Sequence, residues 1–154
     1  MLLTELLAPE RVRLPLVSTS KDALLRELVE LAVADRGPEV VEAVLASVRE
    51  RERDLTTGIG AGLAIPHGRS ASVQSLVAAA GVCAAPVAYD ALDGEPVELC
   101  FLLVGPESAA GAHVRALARI SRLLRDEAVR DALLRAPTAA AFLDAVRASE
   151  AATV

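Results

Sequence analysis

Apolar and polar residues alternate between Arg11 and Leu16, with Val12, Leu14 and Leu16 sharing one face, and that period of two predicts a first strand. The period then lengthens. Leu24, Leu25, Leu28, Val29 and Ala32 make the apolar face of a helix that Ser20 can cap, with Asp22 in its first turn and Gly37-Pro38 ending it. Pro38 suits the first position of a second helix, whose buried stripe is Val40, Val41, Val44, Leu45 and Val48. That helix runs into the charged segment Arg49 to Asp54, which reads as a solvated helix end.

From Gly58 the helical period disappears. The run Gly58 to Ile65 predicts a short buried strand that empties into a tight turn at Pro66-His67-Gly68. Further strands are predicted near Leu76 to Ala84 and Val97 to Val104, with a polar turn at Tyr89 to Gly94 between them, where Asp93-Gly94 is the turn signal. Beyond Gly105-Pro106 the helical period returns. A helix opening near His113 carries Val114, Leu117, Ile120 and Leu124, followed by helices from Glu127 to Arg135 and from Thr138 to Arg147, and Ser149 to Val154 read as a frayed tail. Strand, two helices, strands and then helices imply one α/β domain over residues 1 to 154, a sheet covered by helices on both sides.

Composition narrows the chemistry. Hydrophobic residues make up 53% of the 154 residues but aromatics only 2%, so the core must be aliphatic and few rings are free to stack on bases. The net charge of -5, without a cationic run, argues against nucleic acid as a partner. The uncharged stretch Ser70 to Tyr89 is interrupted by serines, Gln74, Gly81 and Pro86, leaving only a strand-length apolar piece and no membrane insertion. Glu5 and the lack of a basic segment before an apolar one argue against a secretory signal, so a cytoplasmic protein is expected, with Cys83 and Cys100 as reduced, packed thiols. No pair of ligands has zinc-site spacing, and no metal or cofactor is expected.

His67, one of two histidines, is the candidate reactive group. Pro66 restrains the backbone before it, and Gly68 carries no Cβ to crowd an approaching molecule. The competing reading is a structural histidine at a strand end. A serine hydrolase would need GxSxG, which is missing, and a P-loop kinase would need GxxxxGK[ST], whereas the chain's only lysine is Lys21. Phosphoryl transfer through phosphohistidine asks less: a neutral imidazole nitrogen, an open approach, and donors for the phosphoryl oxygens. His113, near a helix start where backbone N–H groups are unpaired, and Arg51, just before the glycine-rich loop, are the candidate donors.

Three segments together resemble a known family. Arg51-Glu52 followed by Thr56 through Arg69, then Tyr89 to Val97, then Gly111 to Ala118, are similar in order and separation to the fructose, mannitol and nitrogen-regulatory class of enzyme IIA (IIA type 2) of the phosphoenolpyruvate-dependent phosphotransferase system. The resemblance covers essentially the whole chain. It implies a three-layer α/β/α sandwich with a mixed sheet, and a phosphotransferase in which His67 receives a phosphoryl group from the histidine-containing phosphocarrier protein HPr. His113 would be the second active-site histidine and Arg51 the active-site arginine. A sugar-transport IIA then passes the group to a cysteine on a IIB domain, while a nitrogen-regulatory IIA acts by phosphorylation-dependent binding to target proteins. The sequence departs from the family at Ala61, where a polar side chain is common, and at Val114-Arg115, where Leu and Lys are usual.

Overall fold

A computed structural model describes residues 1 to 152. The chain begins with a short helix α1, Leu3–Leu6, that the sequence pattern did not signal, because four residues are too few to show a period. Strand β1, Val12–Leu16, follows, then helices α2, Lys21–Val33, and α3, Pro38–Asp54. Ser20 caps α2, its hydroxyl accepting from the Ala23 N–H at 3.2 Å, and Pro38 opens α3 as expected. Three short strands come next: β2, Gly58–Gly60, β3, Leu63–Ala64, and β4, His67–Arg69. The long pair β5, Val77–Val87, and β6, Val97–Gly105, leads into helices α4, Ala110–Arg125, α5, Glu127–Arg135, and α6, Ala139–Ala152.

The sheet is mixed, in the order β1-β5-β6-β3-β2, with β4 also on β6. Strands β1 and β5 are parallel, β5 and β6 antiparallel, and β3 and β4 both run parallel to β6. Helices α2 and α3 cover one face, burying Leu28, Val44 and Leu45 against Ala79, Cys100 and Leu102. Helices α1, α4, α5 and α6 cover the other, burying Leu3, Ile120, Phe142 and Val146 against Ala80, Leu99 and Phe101. Both faces are therefore dry over Val77–Gly81 of β5 and Leu99–Gly105 of β6, which explains why these stretches are continuous apolar runs without polar alternation, while Ala84 to Pro86 and Glu98 are exposed. The expected three-layer sandwich is what forms.

Four expectations are corrected. The run from Gly58 is not one strand but a hairpin, β2 against β3, turned through Gly60, Ala61 and Gly62, all at positive φ. The line then continues as β4: Leu63 pairs with Leu99, Ala64 with Cys100 and His67 with Leu103, one constant register interrupted where Pro66 offers no N–H. Val12 and Leu16 do not share a face, because the β1 register slips between Arg13 and Leu16 and carries Leu16 over to the α2–α3 side. Tyr89, assigned to a polar turn, is buried at 1% exposure. Lastly, Ser149 to Ala152 are helical and not frayed. The Glu150 carboxylate is buried and accepts from the backbone N–H of Leu3 at 2.6 Å and of Thr4 at 3.2 Å, tying α6 to α1. Thr153 and Val154 lie outside the described residues.

Candidate active site

The constant register along β6 decides where His67 points. On β3, β4 and β6 the odd-numbered residues Leu63, Ile65, Leu99, Phe101 and Leu103 pack toward α4, and the even-numbered Ala64, Cys100, Leu102 and Val104 toward α2 and α3. His67 continues the odd series and meets His113 on α4, ring centroid to ring centroid at 5.7 Å in an edge-on arrangement. Gly68 continues the even series, and there a Cβ would lie 2.9 Å from Ser47 Oγ and 3.0 Å from the Val48 nitrogen. The missing Cβ thus admits helix α3 close to β4, and not an incoming reactant as the sequence suggested.

Among the described residues strand β4 pairs only with β6, and its free side opens into a cleft of about 380 Å³ between α3 and α4. Ser47, Glu50, Arg51 and Asp54 line it along one stripe of α3, facing His113 and Leu117 from α4, with Arg69 and Glu107 at the mouth. The structure therefore brings together all three residues singled out in sequence: His67, His113 and Arg51. Arg51 does not lie free over the imidazole, since its Nη1 donates to the Leu55 carbonyl at 2.9 Å.

His67 is half-buried, and its Nδ1 lies 2.9 Å from the Ile65 carbonyl oxygen. A carbonyl only accepts, so Nδ1 carries the proton and the lone pair of the neutral ring resides on Nε2. Burial lowers the His67 pKa, the Ile65 carbonyl works the other way, and Arg51 adds to the lowering. A lowered pKa favours the neutral ring at neutral pH, the form a nucleophilic imidazole needs. His113 is only 2% exposed, and burial, followed by His67 and Arg69, pushes its pKa down to about 4. Among the described residues its buried Nδ1 has no hydrogen-bond partner.

The helix start beside His113 offers fewer donors than expected. A turn of 3₁₀ helix, Glu107–Ala109, precedes α4, and the N–H groups of Ala109 and Ala110 already donate to the Pro106 and Glu107 carbonyls. Arg69 supplies a cation that the sequence reading left out of the site, held by Glu107 across 3.3 Å. Its signal was its position two residues after His67 on the same strand. Glu52 was missed as well. It is buried at 7% exposure, and its carboxylate accepts from the Thr57 N–H at 2.7 Å, the Thr57 hydroxyl, the Tyr89 hydroxyl at 3.2 Å and Lys21 at 3.1 Å. Helical period could have found it, since Glu52 lies four residues beyond Val48 and seven beyond Leu45 on the buried stripe.

The sequence and fold have known counterparts. Residues 5 to 149 match the family model described as phosphoenolpyruvate-dependent sugar phosphotransferase system, EIIA 2. The chain belongs to this family. A nitrogen regulatory protein of Bradyrhizobium diazoefficiens is 39% identical over 125 residues, 81% of either chain. The fructose-specific EIIABC component of Bacillus subtilis is 36% identical over 148 residues, 95% of this chain but 23% of that larger protein. Among solved structures, the nitrogen regulatory protein IIA-Ntr of Neisseria meningitidis superimposes with a TM-score of 0.86 at 31% identity, covering 92% of this chain and 97% of that one. The resemblance drawn from the three sequence segments is borne out, and membership of the EIIA 2 family brings phosphotransfer as its general activity. Among the described residues no helix is long and apolar enough to cross a membrane, and no three His, Cys, Asp or Glu side chains are grouped so as to hold a metal ion.

Proposed function

We propose that His67 Nε2 accepts a phosphoryl group from the phosphocarrier protein HPr and passes it to a cysteine of a IIB domain or protein of a sugar permease. The observation that carries this reading is the 2.9 Å contact between His67 Nδ1 and the Ile65 carbonyl, which leaves Nε2 as the basic nitrogen in a ring lining an open cleft. As the Nε2–P bond forms, the P–N bond to the donor histidine breaks and its electron pair leaves with the donor nitrogen. The His67 ring becomes cationic, with its Nδ1 proton held by Ile65. In the onward step a thiolate sulfur attacks phosphorus, and the Nε2–P electron pair returns to the ring. His113 and Arg51 flank the transferred group as donors to its oxygens, joined by Arg69. No cofactor takes part, and the reading keeps the protein in the cytoplasm, where its donor works.

The test is incubation with labelled phosphoenolpyruvate, enzyme I and HPr. Wild type should take an acid-labile label that His67→Ala does not take, and equal labelling of the two would end the proposal. His113→Ala should still be labelled on His67 but pass the group to IIB more slowly, and unchanged transfer would remove His113 from the mechanism.

A second reading, a nitrogen-regulatory IIA whose phosphorylation state governs binding to target proteins, is favoured by the similarity to the Bradyrhizobium and Neisseria proteins. A protein that takes the label yet passes it to no IIB thiol would match this second reading.

A further inference from the structure

Among the described residues the carboxylates of Glu27, Glu52 and Glu150 are buried, and each accepts from at least one backbone N–H group. Glu27 holds Val17 and Ser18 after β1, and Glu150 holds α1; neither leads to the cleft. Glu52 differs because its contacts continue to His67. Thr57, whose N–H it holds at 2.7 Å, accepts with its own carbonyl from the Ile65 N–H at 3.0 Å, and the Ile65 carbonyl in turn accepts from His67 Nδ1 at 2.9 Å. We propose that Glu52 is a positioning residue for His67, fixing through Thr57 and Ile65 the carbonyl that selects the Nδ1–H tautomer and leaves Nε2 free. The proposal rests on the reading that His67 is the phosphoryl acceptor.

The chain of contacts is geometric. Thr57 and Ile65 face each other at the base of the β2–β3 hairpin, and the backbone of Thr57 transmits position from its N–H side to its C=O side. The hairpin needs such an anchor. Its turn at Gly60 to Gly62 is glycine-rich, β2 and β3 pair over only a few residues, and Pro66 cannot donate to the β6 ladder. Glu52 is itself fixed from four directions: its own helix α3, Lys21 at the start of α2, the Thr57 hydroxyl, and the Tyr89 hydroxyl. Lys21 also lies 4.5 Å above the Tyr89 ring, closing the cluster. A carboxylate that satisfies this many donors within a covered pocket is a rigid reference point next to Arg51 on the same helix.

The test reads the His67 ring directly, by the nitrogen-15 and carbon-13 NMR signals of the unphosphorylated protein, so it needs no phosphoryl donor. Wild type should show Nδ1 as the protonated nitrogen and Nε2 as the bare one. Glu52→Met, of similar length but without acceptors, should show a mixture of tautomers, with kcat for phosphoryl acceptance down about tenfold and KM for HPr little changed. Glu52→Asp, which keeps a charge beside Lys21 but withdraws the acceptor by one methylene, should shift the ring in the same sense and serves if the Met variant does not fold. Thr57→Val loses the hydroxyl but keeps both backbone contacts and should retain the wild-type pattern. A folded Glu52 variant with the wild-type tautomer, or a Thr57→Val protein as perturbed as Glu52→Met, would overturn the proposal. If instead wild type shows the tautomer but takes no label, the functional reading fails and the positioning of the ring stands.

Discussion

The depressed basicity of His113 makes stability depend on pH from about 6.5 downward, a window that opens above that of the Glu27 and Glu52 carboxylates. A histidine whose folded pKa is about 4 against 6.5 unfolded binds its proton in the unfolded chain first, so stability falls as pH drops from about 6.5 toward 4. Integrating that difference gives a loss of about 2 kcal/mol between about pH 8 and pH 5, and about 3 kcal/mol by pH 4. Glu27 and Glu52 act at lower pH. Burial alone would raise the Glu27 and Glu52 pKa values, but their hydrogen bonds outweigh it and hold both below 4.5, so their contributions persist above 4.5 and vanish only as pH falls through those lowered values. His67, also lowered, contributes with the same sign as His113. Replacing His113 by Asn separates the two. Urea unfolding followed by far-ultraviolet circular dichroism, the chain having no tryptophan, should give a wild-type loss from pH 8 to pH 5 that exceeds the His113→Asn loss by about 2 kcal/mol. Parallel curves for the two proteins would refute the claim that His113 is held neutral by burial.

Two further outcomes are expected. Glu107→Gln should free Arg69 from its 3.3 Å partner and speed phosphoryl acceptance by about two- to fivefold at low salt; because both side chains are exposed, the gain should shrink as salt rises, and a slower enzyme would argue that Glu107 instead orients Arg69 usefully. Ala61 sits at φ 57 in the hairpin turn without a side chain that suits that region, so Ala61→Gly should raise stability by about 0.5–1 kcal/mol, visible in thermal melts, while a lower melting temperature would show that the turn tolerates alanine without strain.

The layers of this fold were legible because the helical periods and the apolar strand runs were long. Helices α2 and α3 each carry more than two turns of pattern, the pair β5–β6 shows instead as two long apolar runs, and α5 falls on Glu127 to Arg135 as the sequence marks it. The region around His67 was less legible for a physical reason. Gly58 to Ile65 contains only glycine, alanine and aliphatic residues, so nothing in side-chain polarity marks where β2 turns back into β3; the turn is written in backbone conformation, through positive φ at three successive residues. The slip in β1 is equally silent, since Val12, Leu14 and Leu16 alternate as they would in a regular strand. Chemistry was legible in the histidines, which are rare in this chain, and hidden in Glu52, one of six consecutive charged residues of which only the helical period marks the buried member.

In the proposed reaction, the charges around the cleft decide how its residues would share the work of transfer. Its lining holds Arg51 and Arg69 against Glu50, Asp54 and Glu107, so it is not a cationic basin, and both imidazoles are neutral at rest. A phosphoryl dianion arriving within about 4–6 Å would raise the pKa of His113 by about 1–3 units. Starting from about 4, that brings it to about 5–7, so at neutral pH the ring is at most half protonated even with the phosphoryl group in place. In the proposed reaction His113 therefore serves mainly as an N–H donor of a neutral ring, and the compensating positive charge comes from the cation formed on His67 itself and from the two arginines. Low basicity is then an advantage on both sides of the transfer: it keeps Nε2 of His67 unprotonated for attack, and it leaves the phosphorylated ring a good leaving group when a thiolate approaches.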